Sequence, residues 1–437
     1  MNNNPTKPTR KRFGILVLIF ITVVINYMDR SNISVAAFAI SEELELSTIQ
    51  MGWIFSAFAT TYAILQIPGG ALADIFKPRL FYSVILTCWS VVTLLQGFAN
   101  SLATLIGYRA SIGVFEAPSY PTNNKIVTSW FPESERASAI AIYTSGQYIG
   151  LAFLTPVLVT IQSYMGWRGL FIVSGIIGIV WAGIWYVFYR DPESHKSVND
   201  AELEYIREGG GVSQNTDPDK VVNKFEWSNL VKAFSYKKLW GIYLGQFCIG
   251  TMLVFFLTWF PTYLVKFRGL DFIKSGFLAS IPFLAAFVGI LLSGFASDYM
   301  VKKGYSNEIA RKAPILIGLL LSVSVVGANY TDSTFLIIMF LAIAFFGNGF
   351  ASINWVFVSI MAPKNLLGLV GGVFNAIGSI AAVLTPIVIG YLVEDGDFRP
   401  ALIYVSVVAV IGFFSYVFLV GKVERLGTEE ESEVQVS

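Results

Sequence analysis

Charge is scarce in this chain: 14% of its 437 residues are Asp, Glu, Lys or Arg, against 55% apolar. A soluble domain of that length needs far more charge to cover its surface, which argues against a water-soluble globular class. Histidine occurs once, at His195, and cysteine twice, at Cys88 and Cys248. Both cysteines fall inside apolar runs. A disulfide framework is therefore not expected, and the Cys/His ligands are too few for a metal site. No metal and no cofactor are expected. The formal net charge is only +1, whereas a nucleic-acid partner calls for a strong basic excess. An enzyme reading is weak as well, because the apolar runs hold no histidine and the glycine-rich stretches lack phosphate-loop spacing. The first apolar run, from Phe13, is too long for a cleavable signal peptide and has no small-residue cleavage site behind it.

What the chain does have is apolar runs of about 20 residues, the length that crosses a bilayer as a helix. They fall near 13–40, 50–73, 80–99, 102–126, 136–161, 169–189, 238–264, 273–297, 312–330, 334–361, 365–392 and 398–421. The runs are continuous rather than alternating in polarity, so helices and not barrel strands are expected. The one long polar stretch, 190–237, holds His195 and a helix-like segment from Ala201 to Arg207, stopped by Gly209, Gly210 and Gly211. It divides the spans six and six. The expected organisation is an N-terminal segment 1–12, a six-helix bundle 13–189, a linker 190–237, a second bundle 238–421 and a tail 422–437. The acidic stretch Glu429 to Glu433 reads as solvated and disordered.

Basic residues set the expected orientation. Lys7, Arg10, Lys11 and Arg12 precede span 1, Lys77 and Arg79 follow span 2, and Lys302, Lys303, Arg311 and Lys312 follow span 8. The loop after span 1 carries only the acids Glu42, Glu43 and Glu45. Both termini and the linker are thus expected on the cytoplasmic side of a plasma membrane, although Lys266, Arg268 and Lys274 run against the trend.

Two motifs recur half a chain apart. Gly70-Ala71-Leu72-Ala73-Asp74 closes span 2 and Gly294-Phe295-Ala296-Ser297-Asp298 closes span 8. Leu154-Thr155-Pro156 in span 5 returns as Leu384-Thr385-Pro386 in span 11. Each links span n to span n+6, as duplicated halves require, and such halves usually hold a substrate site at their interface.

Ionisable groups inside a span cost at least about 2.5–3.5 kcal/mol each, so they need a partner or a purpose. Four lie deep: Asp29 and Arg30 in span 1, Arg109 and Glu116 in span 4. Arg109 and Glu116 are two turns apart, roughly 10 Å on one face. One reading makes the four into neutral ion pairs that hold helices together. The other gives them a task, because buried pairs stabilise weakly and all four fall in one half of the chain. Arginine stays charged, so Arg30 and Arg109 suit a carboxylate. Asp29 and Glu116 feel burial and a neighbouring cation pulling in opposite senses, which suits them to taking up and releasing protons. Tyr27, Tyr62 and Gln147 fit a hydroxylated cargo nearby, and the second half offers Gln246, Asn348, Asn354, Trp355 and Asn375. Each of these polar residues taken singly serves equally well as a helix–helix hydrogen bond.

These residues resemble a known family. Gly70, Asp74, Lys77 and Arg79 look like a degenerate loop 2–3 signature of the major facilitator superfamily, with Pro78 breaking the usual pattern. Asn26-Tyr27-Met28-Asp29-Arg30-Ser31-Asn32, Phe115-Glu116-Ala117-Pro118-Ser119-Tyr120-Pro121 and Ser129-Trp130-Phe131-Pro132-Glu133-Ser134-Glu135-Arg136 are similar to the anion:cation symporter family within it. The likeness is greatest to bacterial D-galactonate:proton symporters and runs nearly end to end. It implies the major facilitator fold, an all-α membrane protein with twelve transmembrane helices in two pseudo-symmetric bundles. It also implies symport of a sugar acid with protons by a functional monomer in the lipid bilayer. Asp29 and Glu116 would carry the protons. Arg30, Arg109, Tyr27, Tyr62, Gln147, Gln246, Ser352, Trp355 and Asn375 would line the substrate site, and Gly70, Asp74, Arg79, Gly294 and Asp298 would form the gating motif. Asn354 departs from the threonine expected of galactonate carriers, so glucarate, galactarate and hexuronate carriers stay open. A drug:proton antiporter fits two deep arginines poorly, a channel would show a filter or rings of charge, and no signalling domain follows the last span.

Overall fold

The computed structural model describes residues 7–211, 227–363 and 366–426, and among these every regular element is helical. The acidic stretch Glu429 to Glu433 lies outside the described residues. In chain order the helices are α1 (Arg12–Glu43), α2 (Thr48–Ile75), α3 (Pro78–Gln96), α4 (Leu102–Glu116), α5 (Ser119–Trp130), α6 (Glu133–Phe188), α7 (Asp200–Glu208) and α8 (Trp227–Ser235). They continue with α9 (Lys237–Thr258), α10 (Phe260–Thr262), α11 (Phe272–Lys302), α12 (Asn307–Ser322), α13 (Thr334–Ala351), α14 (Trp355–Met361), α15 (Leu367–Leu392) and α16 (Arg399–Phe414).

Local chemistry explains where these helices start and break. Pro78 opens α3 at a position whose N–H is unused in any helix. Ser101 and Thr104 form a reciprocal capping box at the start of α4. Asp271 and Ser306 cap α11 and α12 through the N–H groups of Lys274 and Ile309. Spans 4 and 10 are among the expected spans that prove to be broken. Span 4 divides into α4 and α5 at Pro118, which lacks the N–H that would continue the ladder. Span 10 passes from α13 through a 3-10 turn, Ser352–Asn354, into α14. The continuous run of α6 bends at Gly166, whose φ of +68° is open to glycine without strain, and this bend separates spans 5 and 6.

Nine described helices are long and apolar enough to cross a membrane. With α6 counted on both sides of Gly166, and with α2 and the α4–α5 pair, the described helices are consistent with twelve spans. Phe153, Phe188, Phe295, Phe335 and Phe418 stand exposed along them, a surface suited to hydrocarbon rather than water.

The chain forms two compact units: Met1–Ile40 with Ala57–Val222, and Ser41–Ser56 with Asn223–Ser437. In the first, small residues let helices touch backbone to backbone. A Cβ on Gly146 or Gly150 of α6 would stand 3.1 Å from the carbonyl oxygens of Phe20 or Val24 on α1. In the second, the early turns of α2 pack on α15. Thr48 Oγ1 donates to the Gly390 carbonyl at 2.9 Å, Ser56 Oγ to that of Val383 at 2.6 Å, and a Cβ on Gly52 would meet the Pro386 carbonyl oxygen at 2.6 Å.

The helix-like segment expected in the linker is α7, and it is docked in the first unit. The buried carboxylate of Glu202 accepts from Thr9 Oγ1 at 2.5 Å, from the backbone N–H groups of Lys11 and Arg12 at 2.9 and 3.2 Å, and from Arg12 Nη1 at 3.2 Å. An anion thus sits where the first turn of α1 leaves N–H groups without intrahelical partners. Arg12 also forks onto Glu135 of α6 at 2.8 and 3.2 Å. Burial alone would push the Glu202 carboxyl up, but these hydrogen bonds outweigh it and hold the group below the ordinary glutamate range.

Candidate functional site

The four deep charges of the first unit are brought together. Arg30 donates from Nε to Glu116 Oε1 at 2.7 Å, and its Nη2 stands 2.5 Å from the same oxygen. Asn26 Nδ2 reaches that oxygen at 3.3 Å and Ser119 Oγ at 3.2 Å. The Glu116 side chain is completely buried, and its other oxygen has no hydrogen-bond partner among the described residues. Asp29 and Arg109 are also buried. Both oxygens of Asp29, and Nε and Nη1 of Arg109, lack hydrogen-bond partners among the described residues. Arg109 lies close enough to Asp29 and Glu116 for their charges to interact.

Aromatic rings organise the two cations. The Arg30 guanidinium lies 4.8 Å from the ring centre of Tyr27, 5.1 Å from that of Phe58 and 4.9 Å from that of Tyr62. The Arg109 guanidinium lies 5.0 Å from Phe58. Phe58 therefore serves both arginines, and it stacks on Tyr62 at 5.5 Å. Such contacts are worth about 0.5–2 kcal/mol each, more when desolvated. Gly113 makes the arrangement possible. It lies on α4 between Arg109 and Glu116, and a Cβ there would collide with Thr61 Oγ1 and the Phe58 carbonyl. Thr61 Oγ1 donates to the Ala110 carbonyl at 2.8 Å, which ties α2 to α4 at the same level.

Of the other expected residues in this unit, Gln147 is half-buried on α6. Gly70 packs near Pro121, 3.7 Å from where a Cβ would sit. Arg79 donates to the Tyr186 carbonyl at 3.0 Å and covers the Tyr186 ring at 4.4 Å. The backbone carbonyls of Ala73, Asp74 and Phe76 receive Lys125 Nζ at 2.9, 2.9 and 3.1 Å, a cation at the negative end of α2. The sequence reading gives no role to Lys125 or Phe58, nor to Asn26 and Tyr120 beyond their place in the motifs; Tyr120 lies beside Tyr27. A ring or an amide in an apolar run carries no mark of what it faces. The adjacency of Asn26 to Tyr27, and of Tyr120 to the Pro118 break, was the available signal.

In the second unit, Asn354 Nδ2 donates to Gln246 Oε1 at 2.6 Å, and Gln246 lies against Gly378. Ser352 Oγ donates to the Gly349 carbonyl at 2.7 Å, closing the turn between α13 and α14. Trp355 is half exposed and meets Phe374 edge-on at 4.7 Å. Asn375 lies on α15, and its carbonyl accepts from Ser379 Oγ at 3.1 Å. Asn348 is buried, with its amide oxygen unpartnered. A Cβ on Gly294 would meet open space, and the Asp298 side chain lies outside the described ones. No cluster of metal-ligating side chains occurs among the described residues.

Residues 19–385 match the Major Facilitator Superfamily. The chain belongs to that family. It is 52% identical over 428 residues to the "D-galactonate transporter" of Escherichia coli O6:H1, covering 97% of this chain and 99% of that one. The "Probable galactarate/D-glucarate transporter GudP" of Bacillus subtilis is 40% identical over 435 residues, 98% of this chain and 96% of the relative. Among solved structures, a bacterial homolog of the human lysosomal transporter Spinster, inward-facing and occupied, superposes with a TM-score of 0.73. It is 19% identical over 93% of this chain and 96% of that one. The nucleoside transporter NupG gives a TM-score of 0.71 at 12% identity, over 93% and 99%. These last two share the fold.

Proposed function

We propose that this protein takes up a sugar-acid anion, D-galactonate or a related hexonate, together with protons, by alternating access. The observation that carries the reading is the inequality between the two arginines. Arg30 is neutralised by Glu116, whereas Arg109 is buried with two nitrogens that have no hydrogen-bond partner among the described residues. A buried cation left in that condition is costly, and a carboxylate guest relieves the cost.

The coupling follows from charge. Asp29 and Glu116 balance Arg30 and Arg109 when no cargo is bound. A proton on either acid leaves one positive charge uncompensated, and the anion restores neutrality. The loaded, protonated site then crosses between states without excess charge in low dielectric. Loading the anion without a proton leaves a net negative site and is disfavoured. Tyr27, Tyr62 and Gln147, with Gln246, Ser352, Asn354, Trp355 and Asn375, are assigned to the hydroxyls and carbon faces of the cargo. Gly70, Asp74 and Arg79, with Gly294 and Asp298, are assigned to gating. The basic N-terminal segment and loops support a bacterial inner-membrane protein with both termini on the cytoplasmic side.

A second reading, a galactarate or glucarate carrier, is supported by Asn354 and its bond to Gln246. Uptake of radiolabelled galactonate into proteoliposomes, challenged with hexonates, hexuronates and aldarates, separates the two. Competition strongest from hexonates is expected. Competition strongest from aldarates would select the second reading, and competition by none of them would defeat both.

A further inference from the structure

One face of α3 is buried along its whole length. Tyr82, Trp89, Thr93 and Gln96 follow one another at helical spacing, and each is fully buried. A buried face of a membrane helix is ordinarily apolar or internally hydrogen-bonded. Here Tyr82 Oη, Trp89 Nε1, Thr93 Oγ1 and both amide atoms of Gln96 have no hydrogen-bond partner among the described residues. Thr93 even forgoes the bond to the carbonyl four residues back that Thr22, Thr87, Thr122 and Thr155 make in their own helices.

Other helices of the same unit repeat the pattern. Asn32, one turn beyond Asp29 on α1, is fully buried with both amide atoms unpartnered, and so is Asn123 on α5. Trp89 lies beside Asp29, and Tyr82 lies beside Asn123, in each case without normal hydrogen-bond geometry. From Tyr82 to Gln96 the row spans about 21 Å along the helix axis. Thr93 and Gln96 are one turn apart, about 4.5 Å along the axis, and a buried water needs two to four polar partners of this kind.

We propose that this face of α3 lines a file of ordered waters that delivers protons to Asp29, with Thr93 and Gln96 holding its outer half. The inference rests on the proton-coupled reading above. The end of α3 that carries Gln96 is opposite the basic loop of Lys77 and Arg79, so it faces the proton source. A proton enters at that end. Each water accepts one proton and passes another on, and the last O–H bond broken in the file becomes the new O–H bond on an Asp29 carboxylate oxygen. Thr93 both donates and accepts and can relay the proton. Gln96 and Asn32 orient waters, and Trp89, a donor only, points the last water towards Asp29. The charged groups around Asp29 are Glu116 and Arg109 from α4 and Arg30 on its own helix. None of them lies on α3, so the path itself is uncharged.

The test uses the full chain in proteoliposomes with a trapped pH dye and D-galactonate as the probe. Thr93→Val and Gln96→Leu, singly and together, should slow galactonate-driven proton entry by at least about tenfold. Counterflow exchange of labelled galactonate and its half-saturation should stay at wild-type levels, and Thr93→Ser should behave as wild type. Proton entry as fast in the double variant as in the wild type overturns the route, and so does a parallel fall in counterflow, which marks a structural role. A wild-type protein that moves galactonate without protons defeats the symport reading itself, and the route with it. Hydroxyl-radical labelling of the wild type reads the same file without mutation. Oxidation of Trp89 is expected despite its burial, and its complete protection overturns the proposal.

Discussion

Arg30 and Glu116 meet through a single oxygen, with Arg30 Nε at 2.7 Å and Nη2 at 2.5 Å from Oε1. The second Glu116 oxygen has no hydrogen-bond partner among the described residues. A two-point fork would lock the pair, whereas this arrangement leaves one oxygen of the carboxylate open to a proton without first displacing the guanidinium.

Glu116→Gln should therefore remove coupling more than transport. Uphill, proton-driven galactonate uptake is expected to fall by about 100-fold or more, the scale of breaking a buried pair. Counterflow exchange should persist. Intact uphill accumulation in this variant would remove Glu116 from the proton path.

Arg109→Lys should cripple binding. A lysine offers a point charge where a guanidinium offers a planar fork, and the loss of one charge-assisted hydrogen bond raises the apparent Kd by about 10- to 100-fold. Isothermal titration or half-saturation of counterflow reads this directly. An unchanged affinity would make Arg109 a packing residue.

Gly113→Ala probes the aromatic wedge. The new methyl group would collide with backbone and side chain of α2 at Phe58 and Thr61. Overpacking of this kind costs about 1–3 kcal/mol, and here it would also lift Phe58 from both arginines. A lower thermal midpoint together with loss of uptake is expected. A stable, fully active variant would mean that α2 is free to shift.

The docked linker predicts a pH dependence with a definite sign. Glu202 is held below the ordinary glutamate range by its hydrogen bonds to Thr9, Lys11 and Arg12. Its contribution to stability is therefore complete above about pH 4.3, the unfolded value, and is lost as pH falls through the lower folded value. Thermal midpoints of the detergent-solubilised wild type should fall with pH in that acidic window. Glu202→Gln should start lower at pH 7, by about 2–4 °C for each kcal/mol lost, and show a shallower acid decline.

Asn354→Thr tests cargo choice. It removes the 2.6 Å bond to Gln246 and frees that amide. Competition by aldarates relative to galactonate should drop by about tenfold or more, the discrimination that one polar contact supports. An unchanged ratio would take Asn354 out of the specificity argument.

Much of this molecule is written plainly in its residues. Twelve apolar runs can only be helices in lipid, because no other element satisfies its own backbone there. Four charges in such runs stand out because each one is expensive. Pro118 and Gly166 mark breaks for local covalent reasons. What the residues by themselves left open was pairing. Arg30 takes Glu116, while Nε and Nη1 of Arg109 find no hydrogen-bond partner among the described residues, although Arg109 and Glu116 share a helix face. Phe58 joins the two cations, Glu202 caps α1 across nearly two hundred residues of chain, and α3 turns its polar atoms inward. Composition and periodicity report what a residue is and which neighbours share its helix. Which groups meet across helices depends on how closely glycines such as Gly113 and Gly146 let backbones approach, and that is settled only when the helices pack.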